Sequence, residues 1–205
     1  MKLLGSKRSP YVRRVGVSLN VMGLDYTLDP VAVWDNPEEV SAHNPLVRVP
    51  TVVLDDGDTL VESYAILDAL DEMAGDDKRL IPASGPDRRK VMKVTAVASG
   101  TIDKTIWAVY EGRFHPKEKV HRPWIEHNEG QVLGGLGYLN DLAAAAGDGW
   151  LAGGARMSQA DVTGVVAFTF ANLARPRLEI SDKFPALAAF AARCEATEEF
   201  SSTMP

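Results

Sequence analysis

Residues 44–63, with the sequence NPLVRVPTVVLDDGDTLVES, contain two short apolar runs joined by an acidic turn. The runs are residues 51–54 and 59–61, and the Asp-Asp-Gly-Asp between them is typical of a β-hairpin turn. Because proline donates no ladder hydrogen bond, Pro50 predicts the start of the first strand. Pro50 also favours an extended backbone at Val49. We therefore predict that residues 51–61 form a β-hairpin.

A helical pattern begins where the hairpin ends and runs to residue 74. Ser63 has the side chain of a good N-cap. The N–H groups of a helix start, the Ser63 hydroxyl and the Glu62 carboxylate would form a small polar pocket. Such a pocket could hold the carboxylate and ammonium groups of an amino acid. The helix is expected to bury Ile66, Leu67, Leu70 and Met73.

The segment before the hairpin has the pattern of a βαβ unit. Residues 2–5 and 25–31 are predicted strands, and the helix between them has Ser9 as N-cap and Pro10 at its first position. Strands connected in this way are parallel. With a short helix at residues 37–43, the predicted order is βαβαββα.

The second half of the chain shows only helical patterns. We predict domains at residues 1–75 and 87–205, with residues 76–86 as a Pro/Gly-rich linker. The four predicted helices are residues 87–112, 117–146 (with a possible break at Pro123), 158–174 and 184–197, and Ser158 and Asp161 form a predicted capping box.

Three glycines, Gly134, Gly135 and Gly137, fall inside the second of these helices. Each costs about 1 kcal/mol relative to alanine in a helix interior. Close helix packing, a kink or room for a ligand would each offset this cost, and the sequence does not choose among them.

Composition limits the classes of function. The chain has 205 residues, 45% of them hydrophobic, and a net charge of −6, which argues against nucleic acid as the main partner. A single cysteine, Cys194, excludes an internal disulfide framework. No apolar run approaches the roughly twenty residues that span a bilayer, so we expect no membrane association and a cytoplasmic location. The spacing of His115, His121 and His127 fits no zinc signature, so no metal is expected.

Residues 44–63 resemble the glutathione-binding segment of glutathione S-transferases, which has Asn-Pro-x-x-x-Val-Pro, a hairpin and an acid–serine pair. The resemblance implies an α/β N-terminal thioredoxin-like domain and an all-α C-terminal domain, the glutathione transferase architecture. It implies that Pro50 is cis, that the Val49 backbone binds the cysteinyl part of glutathione, and that Glu62 and Ser63 hold its γ-glutamyl end. Tyr64 departs from the family, where smaller or more variable residues follow the pair.

Arg48 lies where many family members have a polar or basic residue near the glycine end of glutathione, and a cation there could meet that carboxylate. A solvated loop arginine is the alternative.

Residues 9–15, SPYVRRV, resemble the active-site turn of bacterial and plant glutathione transferases. The resemblance makes Ser9 the catalytic candidate, as a donor to the glutathione thiolate in a serine-type enzyme. The alternative is a plain N-cap, with Ser6 as the reserve hydroxyl. Tyr11 is the rival hydroxyl, but it is interpreted as a pocket wall and not as the partner of the thiolate. Since residue 9 is not cysteine, chemistry through a mixed disulfide is not expected.

Aromatic residues cluster near the end of the first long helix of the second domain. The resemblance assigns Trp107, Tyr110 and Phe114 to the pocket for a second, apolar substrate. Interhelical core is the alternative, since aromatic residues at helical spacing usually belong there.

The predicted function is conjugation of the glutathione thiolate to a small apolar electrophile, with glutathione as co-substrate and a homodimer as the expected assembly. The alternatives are a non-catalytic, protein-binding member of the same fold and a glutathione-dependent isomerase or reductase. The intact set of Ser9, Val49-Pro50 and Glu62-Ser63 favours the enzyme.

Overall fold

A four-stranded mixed sheet forms the first part of the computed structural model, which describes residues 1–205. The strand order is β2-β1-β3-β4, with β1 parallel to β2 and antiparallel to β3, and β3 antiparallel to β4. The predicted hairpin is present, and Gly57, with φ +91°, lies in its turn. The strands are β1 (Lys2–Leu4), β2 (Thr27–Asp29), β3 (Thr51–Val53) and β4 (Thr59–Val61).

Three helices interleave with these strands and complete the predicted thioredoxin-like order. The first is almost entirely buried; Ser9 caps its start and Gly23, in the left-handed conformation, ends it. Of the residues predicted to be buried in the third helix, Met73 is instead 49% exposed. The helices are α1 (Pro10–Met22), α2 (Pro37–Ser41) and α3 (Ser63–Ala74).

The second part is helical, as predicted. The helix at Gln159–Ala174 is buried on nearly all sides, which is why its sequence is apolar around the whole helix. The capping box of Ser158 and Asp161 is confirmed. Pro123 lies in the first turn of the fifth helix and does not break it. The helices are α4 (Gly85–Phe114), α5 (Arg122–Ala146), α6 (Gln159–Ala174), α7 (Ile180–Lys183) and α8 (Pro185–Glu195), and α9 (Glu198–Ser201) follows them.

The chain divides into two compact units, Met1–Ala83 with Glu195–Pro205, and Ser84–Cys194. The C-terminal residues thus group with the sheet, an arrangement that the sequence pattern did not indicate. Arg13 of α1 is buried, pairs with Glu195 and donates from Nε to the Thr203 carbonyl at 3.2 Å. The predicted domain boundaries stay a prediction. None of the helices has the length and apolar content needed to cross a bilayer.

The glycines of α5 have different explanations. A Cβ at Gly135 would lie 2.1 Å from Thr101 Oγ1 of α4, so this glycine permits close helix packing. Gly134 faces open space, and a Cβ at Gly137 would make an ordinary contact with Phe184 at 3.7 Å. Of these three glycines, only Gly135 is therefore explained by close packing between α4 and α5.

Candidate functional site

The loop before β3 is organised by the fully buried side chain of Asn44. Its Nδ2 donates to the Arg48 carbonyl at 2.9 Å and to Thr51 Oγ1 at 3.1 Å, and its Oδ1 accepts from the Leu46 N–H at 2.9 Å. Thr51 Oγ1 donates to the same Arg48 carbonyl at 3.0 Å. Two donors therefore hold the carbonyl that directly precedes Val49. The sequence shows the Asn-Pro pair but has no local signal for this positioning role.

Val49 and the turn that carries Ser9 are brought together through Gly5. The Val49–Pro50 bond is cis, as predicted. A Cβ at Gly5, whose φ is +131°, would lie 2.5 Å from Val12 Cγ2 and 2.9 Å from Val49 Cβ. Only glycine fits this approach, in both space and backbone angle. The turn after β1 and the loop before β3 are thus direct neighbours.

The Ser9 hydroxyl caps its own helix as a hydrogen-bond acceptor only. Ser9 Oγ accepts from the Val12 N–H at 3.4 Å, a bond that uses a lone pair and leaves the hydroxyl proton available for donation. Ser6 Oγ accepts from the Arg8 N–H at 3.3 Å in the same turn. Tyr11 is partly buried one residue into the helix. The N-cap role of Ser9 is therefore compatible with a second, ligand-directed role.

The prediction that Ser63 caps α3 is wrong. Glu62 occupies the N-cap position, its carbonyl accepts from the Ile66 N–H at 3.0 Å, and Ser63 is the first helical residue. Glu62 has φ +64° and ψ 123°, a conformation that a non-glycine residue rarely adopts. Strained backbone of this kind concentrates at functional sites, where surrounding contacts maintain it.

The Glu62 carboxylate is paired with Arg48. Arg48 Nη1 lies 2.9 Å from Glu62 Oε1, and both side chains are roughly half exposed. The resemblance placed these residues at opposite ends of glutathione. In the structure they are adjacent, so a ligand ammonium group at Glu62 would share the carboxylate with Arg48.

Ser63 is held by a buried cation that the sequence reasoning missed. Arg14 of α1 is fully buried and its Nη2 donates to Ser63 Oγ at 2.6 Å. Its guanidinium carbon lies 4.4 Å from the ring centroid of Tyr64. The sequence signal for this cation is the Arg-Arg pair in a helical segment whose other residues are mostly apolar.

The aromatic residues of α4 are surface residues, which excludes the interhelical core as their location. Trp107 is 55% exposed, Tyr110 39% and Phe114 46%. Tyr110 and Phe114 form an edge-to-face pair with ring centroids 5.0 Å apart. Their assignment to a substrate pocket stays a prediction.

A thioredoxin-like sheet unit with this cis proline and acid–serine pair, joined to an all-helical unit, defines the architecture of the glutathione transferases. The family model for the glutathione S-transferase N-terminal domain matches residues 8–73. A solved glutathione S-transferase from Methylobacillus flagellatus, with glutathione bound, is 29% identical, with a TM-score of 0.91 over 100% of this chain and 98% of that one.

Two curated relatives agree with this match. The maleylacetoacetate isomerase of Pseudomonas aeruginosa is 33% identical over 149 residues, 68% of this chain and 69% of that protein. The GST-like protein YibF of Escherichia coli is 28% identical over 133 residues, 65% of this chain but only 61% of YibF. The chain belongs to the glutathione S-transferase family.

Proposed function

We propose that this protein is a glutathione transferase that adds the glutathione thiolate to a small apolar electrophile. The observation that carries the proposal is the approach of the Ser9 turn to Val49 through Gly5. It supports a single site in which the Val49 backbone binds the cysteinyl group while Ser9 faces its sulfur. Glu62 and Ser63 hold the γ-glutamyl end, and Arg48 meets the glycine carboxylate. The glutathione-bound relative from Methylobacillus flagellatus supports the same ligand.

The chemical step depends on stabilising a thiolate. A free thiol has a pKa of about 8.5, so little of it is ionised at neutral pH. Lowering that pKa by about two units needs roughly 2.7 kcal/mol of preference for the thiolate. The N-terminus of α1 and one charge-assisted bond from Ser9 supply energy of this order. The thiol proton passes to solvent, and the sulfur then forms a bond to the electrophilic carbon as the leaving group departs or the conjugated acceptor is protonated.

A glutathione-dependent isomerase is the second candidate, because the Pseudomonas aeruginosa relative is named a maleylacetoacetate isomerase. The two activities differ in their balance: conjugation consumes glutathione, whereas isomerisation returns it. A reductase is disfavoured by serine at position 9, and a protein-binding module by the intact site set. The α4 aromatic residues would contact the second substrate. We further propose a cytoplasmic homodimer that uses no metal and binds neither nucleic acid nor membranes.

The experiment is a calorimetric titration with glutathione, followed by turnover assays with an aryl halide, an epoxide and an α,β-unsaturated ketone. A cis-configured unsaturated diketone tests isomerisation, with thiol content measured before and after. Glutathione binding with thiol loss on one of the electrophiles is the expected result. Product formation at constant thiol content would replace the transferase with the isomerase. No binding at millimolar glutathione would overturn both.

A further inference from the structure

A fully buried arginine contacts the hydroxyl that the proposed function assigns to the ligand. A buried charge is costly unless its surroundings compensate for it, so its placement calls for an explanation. Arg14 Nη2 lies 2.6 Å from Ser63 Oγ, and Ser63 is also buried, with 4% of its surface exposed. Arg14 lies on α1, five residues after Ser9. The helix that Ser9 caps therefore also carries the cation that contacts Ser63.

The direction of this hydrogen bond is determined by chemistry. A guanidinium group has only donors, so Ser63 Oγ must be the acceptor. The Ser63 proton is then aimed at another group. Donation from a cation polarises the hydroxyl and strengthens its own donation. Ser63 is thus prepared to donate to an anion.

We propose that Arg14 is a positioning residue that holds the Ser63 hydroxyl as a donor to the α-carboxylate of the γ-glutamyl group. The inference rests on the proposed glutathione site. It also explains Tyr64, the residue that departs from the family pattern. The Tyr64 ring lies against the guanidinium, with 4.4 Å between the Arg14 guanidinium carbon and the ring centroid, and covers one face of the cation. Tyr64 is still 47% exposed, so its ring separates the buried cation from water on that side.

The test compares two ligands that differ in one group. Glutathione has the α-carboxylate, whereas 4-aminobutyryl-Cys-Gly lacks it and keeps the amine. Arg14→Met should weaken glutathione binding about tenfold, as expected for a lost charge-assisted contact. Binding of 4-aminobutyryl-Cys-Gly should change less than about twofold, since that ligand has no group for the Ser63 proton.

Arg13→Met is the matched control, because Arg13 is the neighbouring buried arginine of α1 and its side chain pairs with Glu195. It should reduce thermal stability without separating the two ligands. A double-mutant cycle then tests the route of action. In the Ser63→Ala background, Arg14→Met should change glutathione affinity less than about twofold.

The outcomes separate this inference from the proposed function. If the wild type binds glutathione and Ser63→Ala weakens it, but Arg14→Met does not, the inference alone fails. Equal weakening of both ligands, or a full effect of Arg14→Met without Ser63, would show a general structural role and also overturn it. If the wild type does not bind glutathione, both fall. Should Arg14→Met not fold, Tyr64→Leu replaces it, with an expected loss of about threefold for glutathione alone.

Discussion

Arg48 Nη1 and Glu62 Oε1 lie 2.9 Å apart, so a residue that precedes the cis proline is paired with the strained residue that precedes α3. The pair links the two loops that are proposed to hold opposite ends of glutathione. Because both side chains are about half exposed, the pair adds little to stability. The pair matters for the proposed binding of glutathione. The ammonium group of the ligand would meet Glu62 and its glycine carboxylate would meet Arg48, and each of these side chains is already paired with the other.

Arg48→Ala tests this relationship with two ligands. Glutathione should bind about three- to fivefold more weakly, because one exposed charge contact to its glycine carboxylate is lost. γ-Glutamylcysteine, which lacks glycine, should bind equally well or more tightly, since Glu62 is released. Calorimetric titration measures both affinities. Unchanged binding of both ligands would identify Arg48 as a solvated loop arginine.

Ser63→Ala and Ser9→Ala should separate binding from chemistry. Ser63→Ala removes a contact present in substrate and transition state alike, so KM should rise about tenfold with little change in kcat. Ser9→Ala removes a donor that matters once sulfur is ionised, so turnover near neutral pH should fall on the order of ten- to hundredfold. We follow the thiolate absorbance of the glutathione complex as a function of pH. The midpoint of this titration should move to higher pH for Ser9→Ala only.

Ser6→Ala is the matched control for that pair, since Ser6 lies in the same turn and also accepts a backbone hydrogen bond. It should leave the thiolate titration unchanged. If Ser6→Ala shifts the titration and Ser9→Ala does not, Ser6 is the thiolate donor and Ser9 is only a helix cap.

The close contact between α4 and α5 predicts opposite effects at adjacent glycines. Gly135→Ala places its Cβ 2.1 Å from Thr101 Oγ1 and should destabilise the fold by about 1–3 kcal/mol. Gly134→Ala faces open space and should stabilise by up to about 1 kcal/mol through helix propensity. Urea unfolding measures both changes. Adding Thr101→Ala to Gly135→Ala should recover part of the loss, and purely additive effects would contradict the clash.

The buried carboxylate of Asp161 predicts a pH dependence of stability. Asp161 accepts from the Ser158 N–H and hydroxyl at 2.8 Å and from the Leu151 N–H at 2.7 Å. Burial nevertheless raises its pKa above the ordinary value of 3.8. The folded protein therefore holds this proton more tightly than the unfolded chain does, and stability falls as pH rises from about 3.8 through the raised pKa.

Asp161→Asn provides the reference, because asparagine does not titrate. The unfolding free energy of the wild type minus that of Asp161→Asn should decrease with rising pH across this window and then level off. Urea titrations between about pH 3.5 and 6.5 cover it. A difference that grows with pH would mean that the hydrogen bonds, not burial, dominate the pKa.

We expect a homodimer, and an exposed apolar side chain on α3, Met73 at 49%, agrees with a surface that a second copy covers. Light scattering at micromolar concentration should give twice the chain mass of 22.2 kDa. Met73→Glu should shift the mass toward the monomer, whereas Leu173→Glu, at a side chain that is 61% exposed in the helical unit, serves as a surface-charge control. A stable wild-type monomer would contradict the prediction.

Several features of this protein could be predicted because their causes lie within a few residues of one another. The hairpin follows from Pro50 and the Asp-Asp-Gly-Asp turn, and the start of α1 from Ser9 and Pro10. The capping box of Ser158 and Asp161 is likewise a contact between residues three apart. Such signals act through short-range sterics and hydrogen bonds, which do not depend on the rest of the fold.

The contacts that shape the site were decided by tertiary packing. Arg14 meets Ser63 across 49 positions and Arg48 meets Glu62 across the hairpin, so neither pair has a local sequence signature. The sequence alone predicts Ser63 as an N-cap, because its residue type permits that role. In the fold, α1 packs against α3 and brings a buried guanidinium to the Ser63 hydroxyl. The cation makes the Ser63 oxygen an acceptor and leaves its proton for donation. Only the packing of the two helices places that cation beside the hydroxyl.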